Sequence, residues 1–109
     1  MNNNDMMQRR IDAGNLVHIN GKILRTLNVI SESKCLLASL EYSFGEIEHS
    51  DFVYSLKYLS ISGYVELRDC WSKKVISFSE SRFDETEVSL TAKGMRVLCG
   101  VLEDECVEV

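Results

Sequence analysis

Proline is absent from this sequence, and glycine occurs only 6 times in 109 residues. Helices and strands must therefore end at glycine or at small polar residues, because no proline is there to interrupt them. The sequence also lacks an apolar run of about 18 residues, the length needed to cross a bilayer. Its N-terminus has no basic segment followed by an apolar run. We therefore expect a cytoplasmic protein without a membrane partner.

The residue spacings of common catalytic and metal sites are missing as well. The 4 cysteines contain no CxxC pair, and neither of the 2 histidines lies in a nucleophile or metal motif. We therefore expect no enzyme activity, no metal and no cofactor. The separation of Cys99 and Cys106 is compatible with a thiol sensor, but we favour Cys99 as a small core residue and Cys106 as part of a frayed tail.

Positive charge is in short supply, because 12 basic residues stand against 17 acidic ones, a net charge of −5. A protein that binds nucleic acid mainly by covering phosphates needs a dense basic surface, and this composition excludes one. A small local basic patch remains compatible with it. The length and the apolar content predict a single domain over residues 11–105, with a flexible polar arm at 1–10 and an acidic tail at 106–109.

Apolar residues at helical spacing predict two helices in the first half of the chain. Asn20 is a suitable N-cap for a helix that begins at Gly21 or Lys22. A second helix follows and ends at Gly45. The apolar residues of segment 11–19 fit no single period, so a short strand and a helical turn both remain open there.

The stretch 50–67 carries the strongest local signal. Ser50 is expected to cap a third helix, whose apolar residues recur on one face until Gly63, where a helix would place its C′ residue. After this glycine the apolar period changes from about 3.6 to about 2 residues, which indicates a strand. The apolar face of the third helix consists of Phe52, Leu56 and Leu59.

Alternation predicts that residues 75–78 return antiparallel to a strand at 64–69, and that residues 87–90 form a further strand. Thr91 is then expected to cap a last helix over residues 92–105. The predicted fold class is mainly α with a small antiparallel β wing, an α+β arrangement.

Two motifs in this region resemble those of the winged helix-turn-helix domain in MarR-like and PadR-like regulators. The segment LSISGYV, residues 59–65, is similar to the end of their recognition helix, which has leucine, three variable residues, glycine and two apolar or aromatic residues. The segment VSLTAKGMRVL, residues 88–98, is similar to the motif that closes the wing and opens the last helix. The resemblance implies a DNA-binding transcriptional regulator of bacterial or phage type.

The resemblance also implies that the third helix enters the major groove of double-stranded DNA and that the wing contacts the backbone. The residues expected to contact DNA are Ser50, Tyr54, Ser55, Lys57, Tyr58, Arg68, Trp71, Lys73 and Lys74. This helix departs from the pattern of a strong DNA binder, because Lys57 is its one exposed cation and it carries no Arg, Asn or Gln for bidentate base contacts. Three acidic residues, Glu46, Glu48 and Asp51, surround its start.

An alternative function uses the same helix as a protein interface. Tyr54, Tyr58 and Ile61 lie opposite the apolar face and form a partly aromatic ridge, provided that neither the wing nor the N-terminal segment covers Ile61. This alternative is a winged-helix interaction module, an adaptor or inhibitor of a nucleic-acid-handling machine, which does not itself bind DNA.

We also expect a homodimer, because the apolar surface of the last predicted helix is wider than one core needs. The acidic end of the chain would then stay in solvent. The apolar residues of this surface are Met95, Val97, Leu98, Val101 and Leu102.

Overall fold

The structure is a computed structural model that describes residues 3–30 and 35–109, with side chains described from residue 14 onward in the first range. Over these ranges it contains four α-helices, a short 3-10 helix and a four-stranded antiparallel sheet. The elements are α1 (Asn3–Val29), β1 (Cys35–Leu36), α2 (Leu37–Phe44), α3 (His49–Ile61), β2 (Val65–Asp69), β3 (Val75–Ile76), β4 (Thr86–Leu90) and α4 (Ala92–Leu98), with the 3-10 helix at Phe78–Glu80. The predicted α+β class with a β wing is confirmed.

The strands lie in the order β1-β4-β2-β3, so that β3 forms one edge of the sheet. β2 and β3 form the predicted hairpin, in which Leu67 lies opposite Ile76, but β3 is shorter than the predicted 75–78 because a 3-10 helix begins at Phe78. β4 returns antiparallel along the other side of β2, and its predicted range is confirmed with one more residue, Thr86, at its start. We call residues 65–90 the wing.

The corner between α3 and β2 is closed by Gly63, which has a φ of 80°. The backbone N–H of Tyr64 donates to the carbonyl of Leu59 at 2.9 Å, which is the 6→1 bond of a Schellman ending. The predicted passage from helix through glycine to strand is therefore confirmed. The predicted N-cap is wrong, because α3 begins at His49 and Ser50 lies within its first turn.

The core lies between α1, α3 and the sheet. The predicted apolar face of α3 is confirmed, since its three residues are fully buried. These residues pack in one cluster with apolar side chains of the neighbouring elements, among them Ile23, Leu24 and Leu27 of α1, Leu67 of β2 and Val88 of β4.

Thr91 caps α4 as predicted and also ties it to the corner of α3. Its hydroxyl oxygen accepts the backbone N–H of Gly94 at 3.1 Å and donates its proton to the carbonyl of Gly63 at 2.6 Å. A Cβ at Gly94 would collide with the backbone oxygen of Tyr64, so glycine permits this close packing of α4 on the wing. The start of α4 is thereby fixed to the corner between α3 and β2.

The predicted start of the first helix is wrong. α1 begins at Asn3, and Asn20 lies in its interior, where it is fully buried. Its amide bonds two distant parts of the chain instead of capping a helix end, so a residue with low helical propensity is accommodated there. Segment 11–19 is helical, and so is the part of the predicted arm from residue 3 to 10. Residues 1–2 of that arm lie outside the described residues.

The predicted end of the last helix is also wrong. α4 ends at Leu98, and Gly100 adopts a φ of 82°, a left-handed conformation that suits a residue just beyond a helix end. Residues 101–109 turn back toward α1, and we call this segment the strap. The predicted solvated end is wrong in part, since Val107 is buried, whereas the glutamates at positions 103, 105 and 108 are exposed. Cys99 is exposed, which contradicts its predicted place in the core.

Candidate interaction surface on helix α3 and the wing

The outward face of α3 carries large side chains, two of which are mostly exposed. Tyr54 is 64% exposed and Ile61 is 73% exposed, and together with Lys57 and Tyr58 they line a shallow hollow along the helix. We call these four residues the α3 stripe. Neither the wing nor the N-terminal segment, in its described part, covers Ile61, so the condition set for a protein interface is met there.

A groove of about 550 Å³ begins at the end of this stripe and runs between α3 and the wing. Ile61 lines both the groove and the hollow on α3, so that the two lie next to each other at this side chain. On the opposite side the groove is bordered by the edge strand β3, where Val75 is 59% exposed. We call this the wing groove; its other apolar lining residues include Ile76, Phe78 and Ala92.

Two cations of the wing are paired with carboxylates of the sheet. Arg68 lies 3.2 Å from the carboxylate of Glu66 on the same strand, and the ammonium of Lys73 lies 2.6 Å from Glu87. These pairs are partly exposed, and each removes much of the positive potential that a phosphate would meet. Lys74 forms no ion pair with the described residues.

The end of the β2–β3 hairpin is a tight turn held by Asp69. Its carboxylate accepts the backbone N–H groups of Trp71 and Ser72 at 2.9 and 2.8 Å, which lowers the pKa of Asp69. Lys73 has a φ of 63°, uncommon for a residue with a side chain. Trp71 is 80% exposed and therefore does not fold onto the sheet.

Negative charge surrounds the start of α3. Glu46 and Glu48 are exposed in the connection before the helix, and Asp51 lies in the first turn. A carboxylate in the first turn interacts favourably with the helix dipole. It also repels a phosphate from the helix N-terminus, where phosphates often bind. The N-terminal part of α3 is therefore a poor anion site.

The structure separates the residues predicted to contact DNA. Ser50 is exposed, as are Tyr54 and Lys57, but Ser55 is fully buried and donates its hydroxyl proton to the side-chain oxygen of Asn20. The prediction that Ser55 reaches DNA is wrong. Serine is polar and was therefore placed on the outer face, but its small side chain fits inside the fold, where Asn20 accepts its proton. Trp71, Lys73 and Lys74 at the hairpin end are exposed and do not line the wing groove.

Tyr58 is only partly exposed, because its hydroxyl donates to Oδ2 of Asp104 at 2.7 Å. Tyr64 donates to the same oxygen at 2.5 Å, and this hydrogen bond and burial raise the pKa of Tyr64 to about 12. Burial and the bond to Asp104 raise the pKa of Tyr58 as well. Burial alone would raise the pKa of Asp104, but the donors around it outweigh burial and lower it.

Asp104 was missed by the sequence reasoning. It lies in the acidic run EDE, which is typical of a solvated tail. Its partners Tyr58 and Tyr64 are 46 and 40 residues away in sequence. No local spacing signals such a contact.

The apolar surface predicted for dimerisation is only partly present. Val97 is buried in the core, whereas Met95 and Val101 are exposed. The dimer itself remains a prediction.

Metal and membrane sites find no support in the part of the chain described. Among residues 14–30 and 35–109, no three His, Cys, Asp or Glu side chains are grouped to hold a metal ion. In the described ranges no helix has both the length and the apolar character that a bilayer crossing requires. No family model, curated protein or solved structure matches the chain, so a functional assignment depends on the surfaces described above.

Proposed function

We propose that this protein is a winged-helix protein-interaction module, an adaptor or inhibitor that binds a basic partner protein through the α3 stripe and the wing groove. The observation that carries the proposal is that Ile61, which is 73% exposed, lines both features and so places them side by side. The resemblance of segments 59–65 and 88–98 to winged helix-turn-helix regulators supports the scaffold. Scaffolds of this kind can serve different binding partners, so the surface has to decide the function.

The side chains of this surface are of the type that contributes most to protein binding. Tyrosine and isoleucine supply large contact areas, and aromatic anchors dominate the energetics of many interfaces. Tyr54 and Ile61 are seven residues apart, which is about two helical turns, and so lie on the same face of α3. Val75 extends the apolar area onto the wing. Exposed apolar residues that are contiguous, rather than scattered singly, mark interaction sites.

Charge selects a basic protein over a nucleic acid as the partner. The net charge is −5, and exposed Glu46 and Glu48 lie before the N-terminus of the helix that carries the stripe. A basic partner gains from this potential during encounter, whereas phosphates are repelled by it. If Lys57 and Lys74 alone neutralised phosphates, the salt dependence of DNA affinity would have a slope of only about −2.

Two experiments test the proposal. In cells that carry the gene naturally, a photo-crosslinking residue at position 61 is expected to give an adduct with one defined basic protein, and Tyr54→Lys should abolish the adduct. The same probe at position 103, which is exposed on the strap, serves as the control and should give no adduct. Failure to crosslink at position 61, or equal adducts at both positions, would contradict the proposal.

The second experiment is a titration of labelled mixed-sequence duplex DNA at low salt, followed by anisotropy. We expect no binding. Binding that weakens steeply as salt is added would instead establish the second candidate function.

That second candidate is a DNA-binding transcriptional regulator, and specific observations favour it. Lys57 and Lys74 are exposed, and Trp71 at the hairpin end is available to contact a nucleic acid backbone or groove. Under this function, changing Lys73 and Lys74 together to alanine should weaken DNA binding. Unchanged affinity would exclude the wing as a DNA contact.

A further inference from the structure

The strap is fastened to α1 by hydrogen bonds that involve its backbone. The side-chain amide of Asn20 donates to the carbonyl of Cys106 at 2.8 Å, and the guanidinium of Arg25 donates to the carbonyl of Glu108 at 2.7 Å. The N–H of Glu108 donates to the carbonyl of Val17 at 3.2 Å. The strap therefore has a defined seat on α1.

The surface of α1 is shaped to receive the strap. A Cβ at Gly21 would collide with the backbone oxygen of Glu108, so a glycine at this position allows the two backbones to approach. Val107 of the strap is buried and belongs to the apolar core cluster. At the other end of the strap, Gly100 turns the chain away from α4 with a φ of 82°, and the N–H of Leu102 donates to the carbonyl of Arg96 at 3.0 Å.

The strap also controls one member of the α3 stripe. Oδ2 of Asp104 accepts the hydroxyls of Tyr58 and Tyr64, while Oδ1 accepts the backbone N–H of Cys106 at 2.8 Å. These bonds join a charged carboxylate to neutral donors, a combination stronger than a neutral pair. As long as Asp104 is in place, the phenol of Tyr58 is directed to the strap.

We propose that the strap is an autoinhibitory latch, in which Asp104 withholds the hydroxyl of Tyr58 from a partner until the strap is displaced. With the strap seated, Tyr58 lines the hollow of the α3 stripe but its hydroxyl is bonded to Asp104; with the strap released, the stripe presents the whole side chain. A partner that uses Tyr58 shifts the equilibrium toward the released state by its preference for that state. The effect on partner binding depends on the proposed function, whereas the effect on Tyr58 does not.

Tyrosine nitration by tetranitromethane, mapped by mass spectrometry, tests the latch in the full-length chain. In the wild type we expect fast nitration at Tyr42, which is 88% exposed, and at Tyr54, with slow nitration at Tyr58 and Tyr64. Asp104→Ala should raise the rate at Tyr58 by about tenfold or more, because an anionic acceptor is lost and the phenol regains its ordinary acidity.

Glu103→Ala is the matched control, because it removes the same charge from an exposed neighbour and should leave all four rates unchanged. Equal nitration of Tyr58 in the wild type and in Asp104→Ala would overturn the latch. If circular dichroism shows that Asp104→Ala does not fold, Asp104→Asn replaces it. Asparagine retains one acceptor oxygen, so it should give a smaller rise at Tyr58, and no rise would overturn the latch.

A second measurement separates the latch from the proposed function. Crosslinking from position 61 should increase in the Asp104 variant that folds. Faster nitration with unchanged crosslinking would overturn the autoinhibitory role. If no adduct forms in either chain, the proposed function fails, while the nitration rates still decide whether Asp104 holds Tyr58.

Discussion

The two faces of α3 contradict a simple assignment by polarity. The inner face places Ser55 in full burial, bonded to Asn20, whereas the outer face leaves Ile61 almost three-quarters exposed, at 73%. Ser55 donates to Asn20, and Asn20 in turn donates to the carbonyl of Cys106 in the strap. The comparison teaches that the strap side of α3 is specified by paired polar groups, and that its wing side retains apolar area for another molecule.

We call Ser55, Asn20 and the carbonyl of Cys106 the polar junction. It is costly to disturb because each of these groups has a hydrogen-bond partner. Among the side chains that the structure describes, no buried nitrogen or oxygen lacks a hydrogen-bond partner. A buried group that loses its partner costs about 1–3 kcal/mol. On the wing side, partly exposed ion pairs contribute at most about 1 kcal/mol each. Mutations should therefore have unequal effects in the two regions.

The largest effect is expected at the centre of the polar junction. Asn20→Ala should lower the free energy of unfolding by about 3 kcal/mol, because it leaves the hydroxyl of Ser55 and the carbonyl of Cys106 without a partner. Urea denaturation measures this loss. Asn28→Ala, an exposed position of the same helix, should change stability by no more than about 0.5 kcal/mol. Similar losses in both variants would remove the distinction between the regions.

A somewhat smaller effect is expected where the strap approaches α1. Gly21→Ala should destabilise the fold by about 2 kcal/mol, because the added Cβ collides with the carbonyl of Glu108. Gly14→Ala, in the same helix but with nothing near its Cβ, should stabilise it by up to about 1 kcal/mol through helical propensity. Thermal unfolding of the two variants should shift in opposite directions. A gain of stability at both positions would show that the strap is not seated on α1.

Acid should weaken the strap before it affects the wing side of α3. The folded state lowers the pKa of Asp104, so its stabilisation is fully present above the unfolded value near about 3.9 and is lost as the pH falls through the folded pKa. The protection of the Cys106 amide, which donates to Asp104, should therefore fall in that pH range when its hydrogen exchange rate is compared with the intrinsic rate at the same pH. Protection that is the same there as at neutral pH would contradict this assignment.

The smallest effect is expected on the wing. Lys73→Ala breaks the 2.6 Å pair with Glu87 and should cost no more than about 1 kcal/mol, whereas Lys74→Ala should be close to neutral. The difference should diminish in high salt, because both partners of the pair are partly exposed to solvent. If Lys73→Ala lowered the free energy of unfolding by more than this, and salt did not change the loss, the two regions would not differ as we expect.

Local signals in the sequence predicted the central part of the fold. Gly63 marks the corner because only a residue that tolerates positive φ suits that position, and Thr91 marks a helix start because its side chain can cap nearby N–H groups. Both effects act over a few residues, so a short window of sequence contains them. The candidate site was predicted in part for the same reason, since Tyr54 and Ile61 follow from the helical period.

Residues with long-range partners were predicted incorrectly. Asn20 has the composition of a cap, but its amide bonds Cys106, 86 residues away, and this contact keeps it inside α1. Ser55 has the composition of a surface residue, but it is buried where Asn20 accepts its proton. The last helix stops at Leu98 because the following residues pack on α1 instead of continuing along α4.

The sequence by itself therefore determined the apolar face of α3, the glycine corner and the hairpin that follows, since each depends on backbone preferences and periodicity within a few residues. Only the tertiary structure decided how far α1 extends, where the strap runs and which side of α3 remains open. Those features depend on hydrogen bonds and close backbone contacts between segments far apart in sequence, and such contacts exist only after the elements have packed.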